Sequence, residues 1–253
     1  MTDSNLRIEN HPSQHGGAVR VLTLDRPEAL NAFDTPLYRA TAAALNAAAE
    51  DDDVSVVVIT GEGRAFSAGQ DLKEMTAFAT APPGTEIVSG FPLLLDALIA
   101  FDKPLVAAVN GLGIGIGLTM LPHCDLVLVS DQARFKVPFA ELGVPPEAAS
   151  SLLLPLVLGP QRGAHALFTG DWISGQQAVD WGLALSIHPA DELMTAALEL
   201  AGRIASHPLA ALRAIKATVS GARHDAVAAA RGREETLFAA LLSEMTSADR
   251  WET

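Results

Sequence analysis

Three stretches of the chain, Val54 to Ile59, Leu105 to Val109 and Leu126 to Val129, are aliphatic without regular alternation, with Ser55 their one polar residue. Successive side chains of a strand point to opposite faces, so a strand with one wet face alternates. A run this rich in aliphatic residues instead describes a strand buried on both faces, as in a parallel sheet covered by helices. Helical patterns lie where such a fold needs them. Asp34 offers an N-cap and Pro36 a first-turn residue, and Leu37, Ala40, Ala44, Leu45 and Ala48 fall at helical spacing. Asp51-Asp52-Asp53 then breaks the helix just before the first buried run, and Ala18 to Leu24 alternates as a further strand. The fold class is α/β.

The segment after Gly159 changes character. His165 to Thr169, Gln176 to Trp181, Asp191 to Ala205 and Leu209 to Val219 read as helices. A last amphipathic helix covers Asp225 to Met245, with Leu237, Phe238, Leu241, Leu242 and Met245 as its apolar stripe. This divides the chain into an α/β core, residues 1–190, and a C-terminal helical region, residues 191–253. The region is too short to bury its apolar face alone, so it is expected to pack on the core or on another subunit. No repeat of 20–50 residues is present.

Composition narrows the function. The 253 residues carry a net charge of −13, against the clustered cations that nucleic-acid binding requires. An apolar fraction of 49% is too high for disorder. A single Cys allows no intrachain disulfide, which fits a reducing compartment. Met1 to Asn10 carries Asp3, Arg7 and Glu9 and lacks an apolar signal core. The longest uncharged stretch, Pro104 to Pro122, holds Asn110 and four glycines, and reads as strand, loop and helix start rather than a membrane span. A soluble, cytoplasmic protein is expected.

Common cofactor and metal signatures are absent. Gly111 to Gly117 runs G-x-G-x-G-x-G, not the dinucleotide spacing, and no Walker A or His-Glu-x-x-His sequence occurs. His123, Cys124 and Asp125 are consecutive residues entering a strand, so their side chains diverge and make a poor metal site. Two loops are more informative. Gly61 to Leu72 follows the first buried strand, and the glycine run follows the second. Each delivers small residues to a strand's C-terminal end where a helix starts, so a ligand can approach outward-pointing N–H groups. Two such loops can aim two donors at one oxygen, though ordinary strand-to-helix turns look the same.

Leu24-Asp25-Arg26-Pro27-Glu28-Ala29-Leu30-Asn31-Ala32, then Ala65-Phe66-Ser67-Ala68-Gly69-Gln70-Asp71-Leu72, then Lys103-Pro104 to Gly117, in that order, resemble the crotonase (enoyl-CoA hydratase/isomerase) superfamily. The resemblance covers nearly the whole chain. It implies a spiral of ββα units with a C-terminal helical trimerisation region, assembled as a homotrimer or homohexamer. It also implies a coenzyme A thioester as substrate, with no further cofactor and no metal. The thioester oxygen would sit between the backbone N–H groups of Gln70 and Ile116, set by Ala68, Gly69, Gly115 and Gly117. Arg26, Leu30, Asn31, Ala32, Asp71, Leu72, Lys73, Phe139 and Leu142 would line the substrate site. Asp71 also reads independently as the N-cap of a helix beginning at Leu72.

Acid–base residues must select the reaction. Similar hydratases carry a Glu three residues after the second oxyanion donor and another about twenty residues on; here those positions hold Thr119 and Phe139. A different carboxylate, Glu147 in Leu142-Gly143-Val144-Pro145-Pro146-Glu147-Ala148-Ala149-Ser150-Ser151, resembles the catalytic base of the Δ3-Δ2-enoyl-CoA isomerase branch. One carboxylate suffices to shift a double bond. The alternatives are an enoyl-CoA hydratase and a non-catalytic acyl-CoA-binding homologue. Glu147 reads as the opening of a helix, whose dipole would lower its pKa; Phe139, Leu142, Val144 and Leu152 are the apolar surround that would raise it. Met75 to Phe91 reads as a wall near the acyl chain. Because CoA is anionic and so is the chain, local cations must hold its phosphates, and Arg26, Arg64, Lys73 and Lys103 are the candidates.

Overall fold

The structure is a computed structural model that describes residues 5–13, 16–79 and 89–244. The chain opens with β1 (Leu6–His11), antiparallel to β2 (Ala18–Leu24). Helix α1 (Thr35–Glu50) follows, and the Asp34 side chain accepts from the Leu37 N–H as the expected N-cap. Next come β3 (Val54–Gly61), β4 (Ala65–Ser67), α2 (Leu72–Ala79) and α3 (Phe91–Ala100). The pattern then recurs twice. It gives β5 (Leu105–Val109), β6 (Leu112–Ile114) and α4 (Ile116–Thr119), then β7 (Leu126–Ser130), β8 (Arg134–Lys136) and α5 (Phe139–Leu142). Helices α6 (Ser150–Leu158) and α7 (Pro160–Thr169), strand β9 (Ile173–Ser174), α8 (Gly175–Asp180) and β10 (Ser186–His188) complete the spiral. The last helices are α9 (Leu193–Ala205), α10 (Leu209–Gly221) and α11 (His224–Glu244).

Each turn of the spiral gives one strand to each of two sheets. The larger sheet runs β1-β2-β3-β5-β7-β10 and is parallel from β2 onward; the smaller runs β4-β6-β8-β9. The unalternated runs are β3, β5 and β7, and Val54 to Thr60 is buried throughout. One face carries Leu22, Val57, Ile59 and Ala107 against Leu37 and Leu45 of α1 and Leu94 and Leu98 of α3. The other carries Val19, Val21, Val56, Val58 and Val106 against Leu193, Ala197, Ala201 and Ala205 of α9. Burying each Val or Ile contributes about 1.5–3 kcal/mol.

The C-terminal region packs on the core, one of the two outcomes expected of it, with α9 supplying the second cover of the sheet. The stripe on α11 is not the face that packs on the core: Val227 and Ala230 pack on Ala149 and Leu153, while Leu237, Phe238 and Leu241 are exposed. The side chain of Leu242, residue Met245 and, in the expected acyl wall, residues 80–88 lie outside the described residues. No described helix is long and apolar enough to cross a membrane.

Lys103 is fully buried at the opposite end of the sheet from the loops. Its ammonium donates to the carbonyls of Ala48, Asp51 and Val54 at 2.7, 2.7 and 2.8 Å, joining the end of α1 to β3. It is a structural cation and no phosphate ligand.

Candidate active site

The two loops singled out in the sequence meet. Between each buried strand and its helix lies a short strand, β4 or β6, and these pair in parallel with Ala65 opposite Leu112 and Ser67 opposite Gly113. Glycine lets the loops approach further. A Cβ on Gly117 would stand 2.4 Å from the Ser67 carbonyl oxygen, and one on Gly69, whose φ is +95°, would stand 2.8 Å from that of Ile114.

Their N–H groups are left available by the backbone pairing. Phe33 bridges Gln70 in parallel, donating to the Gly69 carbonyl and accepting from the Asp71 N–H, so the Gln70 N–H points to the opposite side. Ile116 opens α4, where a first N–H has no acceptor within its helix. Ala68 is fastened through its N–H to the Leu30 carbonyl at 2.9 Å. The Leu30–Ala32 loop therefore sits beside the segment that carries Gln70.

Most polar side chains around this loop serve it rather than face outward. Leu30 and Asn31 have φ of +52° and +56°. The fully buried Asn31 pays for that conformation by donating to the carbonyls of Glu62 and Ala65 at 2.9 and 2.7 Å and accepting from the Arg26 N–H at 2.8 Å. Ala32 is buried as well. The Arg26 guanidinium donates to Asp71 at 2.6 Å and to the Ala32 carbonyl at 3.0 Å, with Asp34 at 3.5 Å. Its charge is committed inside the chain, which corrects its reading as a phosphate ligand. Asp71 accepts from the N–H groups of Lys73 and Glu74 and caps α2 as expected. Leu72 and Lys73 are exposed on the first turn of α2, and Arg64 is exposed on the preceding loop.

A carboxylate meets α4, the helix that Ile116 opens. Thr119, buried one turn after Ile116, donates its hydroxyl to Glu147 Oε1 at 2.5 Å. Glu147 Oε2 is out of solvent with no partner among the described residues, although the residue as a whole is partly exposed. Burial pushes the Glu147 carboxyl up to about 8; the Thr119 hydrogen bond opposes this and the nearby Glu234 carboxylate adds to it. The Tyr38 phenol is raised well above its ordinary value by burial and by the charges of Glu147 and Glu74. Tyr38 stacks on Phe33 at 4.7 Å between ring centres and meets Phe91 edge-on at 6.0 Å.

Glu147 does not open a helix, contrary to the sequence reading. Helix α6 begins at Ser150, after Ala148 and Ala149, both at φ +57°. Nor does the expected apolar surround form one patch. Phe139 is buried in the main core with Val144 packed against that core, Leu152 joins the α6–α11 cluster, and Leu142 is partly exposed. His123, Cys124 and Asp125 go to three different partners: Ala148, the core and Lys216.

The sequence comparisons agree with this geometry. The sequence profile of the enoyl-CoA hydratase/isomerase family matches residues 14–250. This chain belongs to the crotonase family. Among its crotonase relatives, the 2,3-dehydroadipyl-CoA hydratase of Escherichia coli is 37% identical over 223 residues, 88% of this chain and 86% of the relative. The 1,2-epoxyphenylacetyl-CoA isomerase of the same organism is 33% identical, over 81% of this chain and 79% of the relative. Among solved crotonases, an enoyl-CoA hydratase/isomerase from Pseudoalteromonas atlantica superposes with a TM-score of 0.87 at 34% identity, covering 94% of this chain and 92% of that one. An enoyl-CoA hydratase from Mycobacterium marinum superposes at 0.79 with 47% identity, covering 86% and 99%. The chain is an acyl-CoA enzyme of the hydratase/isomerase type.

Proposed function

We propose that this crotonase is a 3-enoyl-CoA to 2-enoyl-CoA isomerase of fatty-acid or related acyl-CoA degradation, with Glu147 as its base. The observation that carries this reading is the pairing of Glu147 with Thr119. Where similar hydratases place a glutamate, this chain places a hydroxyl that serves a carboxylate from elsewhere. The other hydratase position is Phe139, which is buried in the core. Adding water needs one group to activate it and another to protonate carbon; moving a double bond needs a single group that takes and returns a proton.

In this mechanism the Gln70 and Ile116 N–H groups hold the thioester oxygen. Such donors, aimed where negative charge develops, are each worth on the order of 3 kcal/mol in the transition state. Glu147 takes a proton from C2, and the electron pair spreads into a dienolate on the thioester oxygen. The neutral Glu147 carboxyl then gives a proton to C4, leaving the double bond between C2 and C3. Thr119 holds Oε1, so Oε2 is the atom that accepts and returns the proton. A carboxyl raised to about 8 is well matched to an acidic C–H, because a stronger base gives a larger driving force.

The names of several relatives favour a second reading, hydration. Product analysis separates the two. With a 3-enoyl-CoA the 2-enoyl isomer is expected to accumulate, and crotonyl-CoA is expected to yield little 3-hydroxyacyl-CoA. Rapid hydration of crotonyl-CoA would overturn the isomerase reading.

Coenzyme A phosphates are expected to meet Arg64 and Lys73, since Arg26 and Lys103 are committed elsewhere. Reversing both charges, Arg64→Glu with Lys73→Glu, should weaken acyl-CoA binding about tenfold and lose that effect at high salt. Calorimetric titration of the double variant measures it, and unchanged affinity would contradict this assignment. Assembly as a trimer, or as two trimers, would cover the exposed stripe on α11.

A further inference from the structure

Glu147 stands on a turn that an isolated chain would not hold. Ala148 and Ala149 both take left-handed backbone, which L residues visit rarely and seldom in succession. Such a turn persists only where its surroundings impose it. Two buried side chains touch it here, one on each side, and neither belongs to the mechanism above.

The first is His123, from the short turn after α4. Its Nε2 lies 2.8 Å from the Ala148 carbonyl oxygen. A carbonyl only accepts, so the ring carries its proton on Nε2. The second is Glu234, from α11. Its two oxygens accept from the Ala149 N–H at 2.7 Å and the Ser151 N–H at 2.8 Å. Only 4% of Glu234 is exposed, and it lies far along the chain from the turn it holds. The same carboxylate occupies the positive N-terminal end of α6, three residues beyond Glu147, and its charge bears on Glu147.

We propose that His123 and Glu234 are positioning residues that clamp the Ala148–Ala149 turn from opposite sides, and that Glu234 shields Glu147 from the positive end of α6. The proposal rests on the reading of Glu147 as the base. It makes the C-terminal helix part of the active site's support, although α11 supplies none of the reacting groups.

The groups facing Glu147 are the Thr119 hydroxyl from α4, the Tyr38 phenol from α1 and the Glu234 carboxylate from α11. His123, which faces the turn itself, is held neutral at ordinary pH: burial depresses it to about 4. Lys216 and Arg223 bear on His123, pushing it in the same direction. Removing the Glu234 charge leaves the α6 terminus uncompensated and relieves repulsion on ionised Glu147. Both effects favour the ionised carboxylate, so its titration moves down.

The experiment is the pH profile of kcat/KM and of kcat for 3-enoyl-CoA isomerisation, in the wild type and in Glu234→Gln. The midpoint of the acid limb is expected to fall by about one pH unit in the variant. At pH 9 kcat should drop about tenfold while KM stays nearly constant. A second pair guards against loss of folding by that variant: His123→Leu should lower kcat in the same way, and His123→Gln, whose amide can donate to Ala148, should recover most of it. A lowered melting temperature with the wild-type midpoint and kcat would overturn the clamp. A wild-type profile with no acid limb would instead contradict the role of Glu147, so the two failures are distinguishable.

Discussion

Replacing Glu147 with Gln is expected to reduce 3-enoyl-CoA isomerisation by about 10²- to 10⁴-fold while acyl-CoA affinity changes by less than about threefold. The substitution is nearly isosteric. Its amide oxygen can still accept from Thr119, so the turn keeps that contact, while the group proposed to take and return the proton is gone. The loss should therefore appear in kcat, with binding of a saturated acyl-CoA measured separately by calorimetry. A variant with wild-type turnover would remove Glu147 from the mechanism.

Gly117→Ala is expected to be nearly as damaging, for a geometric reason. The added methyl would stand 2.4 Å from the Ser67 carbonyl oxygen, a backbone atom that cannot swing aside. The loops must separate, which would displace the Ile116 and Gln70 N–H groups proposed to hold the thioester oxygen. Misplacing an aligned group by about 1 Å can cost about 100-fold in rate, and overpacking of this kind lowers stability by about 1–3 kcal/mol. Gly202→Ala on α9 is the control, since nothing lies within 4 Å of the added methyl. Steady-state kinetics and thermal unfolding of the two variants should diverge sharply. Equal activity would mean that the close approach of the loops is not needed.

The large sheet was legible in the sequence because burial on both faces leaves a compositional mark, and β3, β5 and β7 carry it. The N-caps at Asp34 and Asp71 were legible because capping is local. The small sheet was not. Strands β4, β6 and β8 are three residues each, too short for a period to register, and β9 has two. The site divides along the same line. Glycine spacing marked both loops, and the resemblance marked Glu147. Asn31, Ala32 and Arg26 lie in the loop beside Gln70, but the sequence could not show that their polar groups face inward to hold it. The start of α6 lies at Ser150 rather than at Pro146, because Pro146-Glu147 satisfies helix-start chemistry and two left-handed alanines have no sequence signature. Glu234 gave no signal at all. A carboxylate in an amphipathic helix reads as solvated until the fold brings that helix to the turn.

The central claim is that one carboxylate, held above its ordinary range by burial, moves the proton. The dependence of kcat/KM on pH for 3-enoyl-CoA isomerisation tests it most directly, because it reports the ionisation of the free enzyme. A base must be ionised to act, so activity should climb about tenfold per pH unit below the Glu147 midpoint and level off above about 8, and Glu147→Gln should abolish that limb. A wild-type profile that is flat from pH 6 to about 9 would contradict it.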